Sequence, residues 1–112
     1  MSLNAADVHY LPFKYGLLDA AVKRNLGIIA MKVPSRGRIF RYDGITTMKQ
    51  ALGYVYSFPV SNAIVGIDTL EQLEENVEIT RNFQKYTEQQ LHELEQLTVH
   101  YSRVANWFKD RW

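Results

Sequence analysis

The sequence predicts an α/β fold built on parallel strands. Three short apolar segments, at residues 2–6, 28–31 and 63–67, each precede a stretch in which apolar residues recur at helical spacing. Strands that alternate with helices in this way run parallel, because each helix returns the chain to the same end of the sheet. Three parallel strands leave two sheet edges open, so the pattern indicates part of a larger sheet or barrel.

The composition is that of one ordinary globular domain. The chain has 112 residues, a formal net charge of +1 and no cysteine. A charge so close to zero gives no general attraction to nucleic acid, and the lack of cysteine excludes disulfides and thiolate catalysis. No apolar run approaches the roughly 20 residues of a membrane span, and no signal peptide is visible at Met1. We therefore expect no membrane partner and a cytoplasmic protein, unless a targeting signal lies upstream in a longer chain.

Two helices are predicted in the first half. A helix starts at Lys14, has basic residues near its C-terminal end and is closed by Gly27 as C-cap. Thr47 and Gln50 form a capping box that opens the next helix, whose predicted inward face consists of Met48, Ala51, Leu52, Val55 and Tyr56. The connection over residues 32–44 is long, and long loops of this kind are usually functional or disordered. Its basic residues are candidates for phosphate contact: Lys32, Arg36, Arg38 and Arg41.

The stretch 61–83 changes character in its middle. The apolar run at residues 63–67 suits a strand covered on both faces. Asp68 is the predicted N-cap of the following helix, with Glu71 three residues on as in a capping box. Ligands bind at the carboxyl ends of parallel strands, where the polar residues of this stretch begin. The predicted inward face of the helix consists of Leu70, Leu73 and Val77.

A terminal helix is predicted over residues 87–112, opened by a capping box of Thr87 and Gln90. Its predicted apolar positions are Leu91, Leu94, Leu97, Tyr101, Val104, Ala105 and Phe108. We expect its aromatic end to pack onto the rest of the fold or onto a partner rather than to bind a ligand. That end consists of Tyr101, Trp107, Phe108 and Trp112.

Several kinds of active site find no support. The phosphate-binding pattern GxxxxGK[ST], the zinc pattern HExxH and the nucleophile pattern GxSxG are all missing from the sequence. His92 and His100 would be separated by about 12 Å of helical rise, too far to share an ion. No metal site and no nucleophilic catalyst is therefore predicted.

The three strand segments together resemble the C-terminal third of the aldo/keto reductase family. Residues 3–7 (LNAAD) resemble the sixth barrel strand, residues 26–32 (LGIIAMK) the seventh, and residues 64–76, which end in LEEN, the eighth strand and the start of its helix. The family fold is a TIM (β/α)8 barrel that binds NADPH and reduces carbonyls to alcohols. The resemblance implies that residues 1–112 are the last three βα units of such a barrel, with 87–112 as a terminal helix.

The resemblance also implies part of a cofactor site. The pyrophosphate of the dinucleotide would lie near Lys32, Val33, Pro34 and Ser35. The adenosine phosphate end would be lined by Gly66, Ile67, Asp68 and Gln72, with Glu75 and Asn76 at the adenine. A helix N-terminus favours an anion, and an Asn amide can both donate to and accept from an adenine edge.

The sequence departs from the family at two points. Many members carry a Lys-Ser pair near Gly66-Ile67 and an Arg where Gln72 stands. The resemblance implies NADPH as the cofactor. Arg holds a 2′-phosphate bidentately and Gln cannot, so Gln72 does not support a preference for NADPH and makes NADH the other candidate.

The second departure concerns the catalytic set. The family's Asp, Tyr, Lys and His belong to earlier strands, so none is expected here and the chain alone is predicted to be inactive. The alternative is a non-catalytic interaction or oligomerisation module, which pairs through its open sheet edges with itself or with the missing barrel half. A small independent three-layer α/β domain is a third interpretation.

Overall fold

The computed structural model describes residues 1–111, and it contains one small sheet among them. Strands β1 (Ile29–Ala30) and β2 (Asn62–Ala63) pair in parallel, with Ile29 opposite Asn62. Ser2 adds an isolated parallel bridge to Met31 at the other edge of β1. The three predicted strand segments thus run side by side, but the first contributes only this bridge.

The predicted architecture of three βα units of a TIM barrel with a terminal helix is wrong. The chain forms a small helix-rich domain, 54% helical, with two short strands in one sheet. Local backbone geometry ends the strands early. After the first segment, the Asn4 side chain accepts a hydrogen bond from the Ala6 N–H at 3.0 Å, and the chain turns into a 3-10 helix. After β1, Lys32 has a φ of +60° and ends the extended conformation. A parallel ladder cannot continue through residues that leave the extended conformation. The fold therefore gives no support to a reductase barrel.

Five α-helices lie among the described residues: α1 (Asp19–Lys23), α2 (Met48–Tyr56), α3 (Leu70–Arg81), α4 (Glu88–Thr98) and α5 (Ser102–Ala105). Short 3-10 helices cover Asp7–His9, Ser35–Gly37, Val99–Tyr101 and Trp107–Arg111, and a π-helical segment covers Lys14–Leu18. In the described part of the chain, no helix is long and apolar enough to cross a bilayer.

Both predicted capping boxes outside the 61–83 stretch are confirmed. The Gln50 N–H donates to Thr47 Oγ1 at 3.2 Å, and the Thr47 N–H donates to Gln50 Oε1 at 3.1 Å. The same reciprocal pair joins Thr87 and Gln90, at 3.2 and 2.9 Å. Each box satisfies backbone donors that a helix start leaves without intrahelical partners.

The first predicted helix is shorter than expected. Tyr15 and Gly16 have non-helical backbone angles, so the regular helix α1 begins at Asp19. It ends at Lys23 with Arg24 as C-cap, and Asn25 takes a positive φ of +54°. The predicted Gly27 cap is therefore wrong, because the chain has already left the helix before it.

The terminal helix is also broken. Tyr101 has non-helical angles, and its hydroxyl donates to the Ile39 carbonyl at 2.8 Å and accepts from the Ile45 N–H at 3.0 Å. Thr98 Oγ1 donates to the Ala5 carbonyl at 3.0 Å. These bonds to distant loops hold the end of α4 and divide the segment into α4, a 3-10 turn and α5. Trp112 lies outside the described residues.

The core surrounds α2. Ala51, Leu52 and Val55 are buried there as predicted, and Tyr54, which the apolar pattern did not select, is fully buried as well. These side chains pack against residues from the rest of the described chain, among them Leu3, Ile39, Ile45, Leu94 and Ala105.

A buried ion pair joins the two ends of the domain. Lys109 Nζ donates to Asp7 Oδ1, and it also donates to the carbonyls of Tyr10 and Leu11 at 2.8 and 3.0 Å. Asp7 Oδ2 accepts from the backbone N–H groups of residues 13 and 14. Because both charged groups have partners, this pair avoids the penalty of an isolated buried charge.

Several side chains predicted to be buried are exposed. Ile29, Met31 and Ile64 are between 42 and 57% exposed, and the register places them on one face of the sheet. The predicted strands covered on both faces are therefore covered on one face only. The predicted inward stripe of α3 is also wrong, since Leu70, Leu73 and Val77 are between 39 and 64% exposed. That helix instead contacts α2 through its opposite side, where Ile79 packs onto the core.

Candidate functional site

A cavity of about 660 Å³ lies between the loop after β1, the segment after β2 and the first two turns of α3. Its volume falls within the range of roughly 300–1,000 Å³ typical of small-molecule sites. The polar and charged residues that line it are Lys32, Arg36, Asp68, Gln72, Glu75 and Asn76. Apolar residues and glycines complete the lining: Met31, Pro34, Gly37, Phe40, Met48, Ile64, Val65, Gly66 and Ile67.

Eight of the ten residues assigned by resemblance to a cofactor line this one cavity. They are Lys32, Pro34, Gly66, Ile67, Asp68, Gln72, Glu75 and Asn76. The remaining two, Val33 and Ser35, are fully buried beneath the loop. Ser35 Oγ donates to the Ala105 carbonyl, so this side chain fastens the loop to α5 and does not face the cavity.

The loop wall of the cavity has a constrained backbone. Lys32, Ser35 and Arg36 have φ values of +60°, +49° and +55°, and Gly37 follows at +79°. A left-handed conformation at a non-glycine residue costs about 1–3 kcal/mol, so the surrounding structure must hold it in place. It does so in part through Asn4, whose Nδ2 donates to the Lys32 carbonyl at 3.2 Å.

Two cations stand on this loop wall beside an aromatic pair. Lys32 Nζ lies 5.4 Å from the Phe108 ring centroid, and Arg36 Cζ lies 5.3 Å from that of Trp107. Neither cation takes part in any of the ion pairs found within residues 1–111. Cation–π contacts thus orient both groups while leaving their positive charge uncompensated by a carboxylate.

The other two arginines of the loop point elsewhere. Arg38 stacks on Trp107, with Cζ 4.7 Å from the ring centroid, and does not line the cavity. Arg41 lies over Tyr101 at 4.9 Å, also outside the cavity lining. Of the three predicted arginine candidates, Arg36 alone therefore lines this site.

The N-cap of α3, the helix that forms one wall of the cavity, lies one residue later than the sequence predicts. Thr69, not Asp68, is the N-cap: Thr69 Oγ1 accepts from the Gln72 N–H at 3.2 Å. Gln72 Oε1 in turn accepts from the Asp68 N–H at 2.7 Å. The carboxylate of Asp68 is thus not needed for capping and remains at the cavity, with Glu75 and Asn76 in the second turn of α3.

The charges of the lining are segregated. Lys32 and Arg36 stand on the loop, whereas Asp68 and Glu75 stand at the start of α3. A ligand with an anionic part and a neutral polar part can place its anion against the loop cations and its polar part against the carboxylate and amide groups. Phosphate or carboxylate is the anion that Arg and Lys bind best.

Sequence reasoning missed the apolar part of this lining. Phe40 and Met48 approach the cavity from the long loop and the start of α2. Met48 was assigned to the inward face of its helix, and Phe40 is an isolated aromatic in a polar loop, so no periodic signal marked either as a ligand contact. Their flat or flexible apolar surfaces suit a planar ring.

Potential metal-binding clusters and the buried polar groups of the domain can be placed relative to the cavity. Within residues 1–111 no group of three or more His, Asp or Glu side chains is arranged to hold a metal ion. The buried polar cluster of Tyr54, Glu95 and Lys14 lies away from the cavity lining. The lining itself offers cationic, carboxylate and amide groups that can bind a polar ligand.

Three comparisons with known proteins found no relative of this chain. No family model, no curated protein and no solved structure matches the chain.

Proposed function

We propose that the cavity binds the adenosine diphosphate half of a nicotinamide dinucleotide. The proposal is supported by one observation above all: eight residues from two separate stretches, 32–34 and 66–76, assigned to this ligand by the resemblance, line one cavity. Arg36 adds a second cation to that of Lys32. The resemblance that suggested them concerns local sequence and does not require a complete barrel.

The lining fits the parts of this ligand. Lys32 and Arg36 offer two positive charges for the two negative charges of a pyrophosphate. Asn76 offers an amide donor and acceptor for the adenine edge, and the apolar surface of Phe40 can pack against its ring. The carboxylate of Glu75 can accept a hydrogen bond from a ribose hydroxyl.

The proposed activity is binding without turnover. A bound nicotinamide would supply hydride-transfer chemistry, but the cavity holds no positioned proton donor for a carbonyl substrate. Carbonyl reduction, which the resemblance implies for complete family members, remains a prediction for a larger assembly. The role derived for this chain is to hold and orient the nucleotide end of the cofactor.

The test is a calorimetric titration of the chain with NADH and with NADPH. We expect saturable binding of at least one of them, weakened about tenfold or more by Lys32→Ala or Asn76→Ala, since each removes a direct hydrogen bond to the ligand. Lys85→Ala removes an exposed lysine remote from the cavity and serves as the matched control. The proposal fails if neither nucleotide binds at millimolar concentration, or if both cavity variants bind like the control.

Self-association is a second candidate function. It is favoured by the exposed α3 stripe of Leu70, Leu73 and Val77 and by the exposed sheet face of Ile29, Met31 and Ile64. Met31 and Ile64 on that face also line the cavity. Parallel sheets are normally covered on both faces, and contiguous exposed apolar surface marks interaction sites. A second copy of the chain is the occupant we propose, because a net charge of +1 creates little repulsion between copies. Its test is the oligomeric state in solution.

A further inference from the structure

The charged lining of the cavity contains two cations and two carboxylates. Among the described residues these are Lys32 and Arg36 on the loop, and Asp68 and Glu75 at the start of α3. The pyrophosphate of a dinucleotide carries two negative charges, so it matches the two cations in number. Any further phosphate would have to be stabilised by other groups of the lining.

A 2′-phosphate would be such a further group. As a phosphate monoester it carries a charge of about −1.5 to −2 at neutral pH. It stands on the adenosine ribose, next to the base, and the amide proposed for the adenine edge, that of Asn76, lies on α3 beside Glu75. There it would meet the carboxylates of Asp68 and Glu75, which repel it.

Neutral donors on α3 cannot replace a missing cation. Gln72 already uses its Oε1 to accept from the Asp68 N–H at 2.7 Å, and its remaining amide group is an uncharged donor. The nearby arginines do not compensate, because Arg38 stacks on Trp107 and Arg41 on Tyr101 outside the lining. A free 2′-hydroxyl, by contrast, can donate a hydrogen bond to a carboxylate.

We propose that this cavity selects nucleotides with a free 2′-hydroxyl and therefore binds NADH in preference to NADPH. The inference rests on the proposed function and specifies the ligand of that site. Asp68 and Glu75 are the residues that determine the selectivity, by excluding the 2′-phosphate and accepting from the hydroxyl. The expected preference is about tenfold or more, the effect of one uncompensated phosphate–carboxylate repulsion in a partly solvated site.

The experiment compares two matched ligand pairs by calorimetric titration. NADH is titrated against NADPH, and 5′-AMP against adenosine 2′,5′-bisphosphate, so each pair differs only by the 2′-phosphate. We expect the unphosphorylated member to bind more tightly in both pairs. The preference should weaken on raising the salt concentration, because exposed charges are screened.

Two variants and one control assign the effect to residues. The double variant Asp68→Asn, Glu75→Gln removes both negative charges and should bring the two ligands of each pair to within about threefold, as expected for loss of a charge-based discrimination. Gln72→Arg adds a cation and should reverse the preference. Glu88→Gln, on the exposed first turn of α4, removes a charge away from the cavity and should leave the ratio unchanged. Circular dichroism verifies that each variant folds.

The outcomes separate the two proposals. Binding of both dinucleotides with NADPH equal or tighter would overturn the selectivity and leave the proposed function standing. A preference for NADH that persists undiminished in the double variant would overturn the assignment to Asp68 and Glu75. Absence of binding for every nucleotide would overturn the proposed function and the selectivity together.

Discussion

At the residue scale, a buried polar cluster around Tyr54 of α2 could not be predicted from the spacing of apolar residues. Tyr54 is fully buried, and its hydroxyl donates to Glu95 Oε1 at 2.7 Å. Lys14 Nζ donates to the same carboxylate oxygen at 2.7 Å, which gives the buried negative charge its counter-ion. Burial, followed by the hydrogen bond to Glu95, raises the pKa of the Tyr54 hydroxyl well above its ordinary value near 10. Tyr54 therefore stays neutral in the folded protein at pH values where an exposed tyrosine ionises.

This pKa predicts a loss of stability in alkaline solution. Above pH ~10 the tyrosine of the unfolded chain loses its proton while Tyr54 in the fold retains it, so the unfolded state binds fewer protons. Stability is thus fully present below pH ~10 and falls as the pH rises, by up to about 1.4 kcal/mol per pH unit for this one group. Urea unfolding between pH 7 and 11 measures the slope, and Tyr54→Phe should reduce it.

The reduction is partial, because burial also raises the pKa values of Tyr86 and Tyr101. At pH 7 the same variant should lose about 1.5–3 kcal/mol, the contribution of one buried hydrogen bond to a charged group. Tyr42→Phe is the control, since the Tyr42 side chain is 97% exposed. An alkaline slope identical in Tyr54→Phe and in the unaltered chain would contradict the assignment.

At the element scale, the start of α3 shows that a capping-box pattern can predict a helix correctly and still place its N-cap one residue away. Asp68 with Glu71 and Thr69 with Gln72 both satisfy the spacing of a capping box. The structure uses the second pair in part: Thr69 caps the helix, and the Gln72 side chain accepts from the N–H of Asp68. Helix type and approximate start are therefore readable from sequence, whereas the choice between adjacent caps is not.

The two candidate caps predict different mutational costs. Thr69→Ala removes the acceptor for the Gln72 N–H and should lower the free energy of unfolding by about 1 kcal/mol. Asp68→Ala removes only a charge near the helix N-terminus and should cost about 0.3 kcal/mol. Chemical denaturation of both variants measures the difference. Equal costs, or a larger cost for Asp68→Ala, would show that Asp68 is the cap.

At the scale of the whole molecule, exposed apolar surface is the main unexplained feature. It includes one face of the two-stranded sheet and the α3 stripe described above. In the described chain no strand pairs with the outer edge of β2, so backbone groups there are open to a further strand. These surfaces underlie the second candidate function, association with another copy of the chain.

Sedimentation velocity over a range of protein concentrations tests that association. We expect a species larger than the monomer to grow with concentration, and we expect Leu73→Glu to shift the equilibrium toward the monomer by about tenfold or more, because it places a charge in the apolar stripe. Glu93→Gln, on the exposed side of α4, is a control that should not affect it. A monomer at all concentrations up to the millimolar range would exclude this function.

Part of this molecule follows from sequence alone. The capping boxes at Thr47 and Thr87 fix the starts of α2 and α4, because each box is made by residues within one turn of each other. Eight of the ten predicted site residues line one cavity for a related reason: they follow strand segments whose parallel order is set by the alternation of strands and helices. Local chemistry and chain order therefore determined the positions of these helices and of the candidate site residues.

The remaining features depended on contacts between residues far apart in the chain. Tyr101 reaches the loop at Ile39 and Ile45 and interrupts the predicted terminal helix, and the buried pair of Asp7 and Lys109 joins the first turn of the domain to the last. The exposure of the α3 stripe likewise reflects which side of the helix meets α2. Apolar spacing shows that a helix has an apolar face, but only the packing of the other elements decides whether that face is covered, since burial requires a partner surface in the right place.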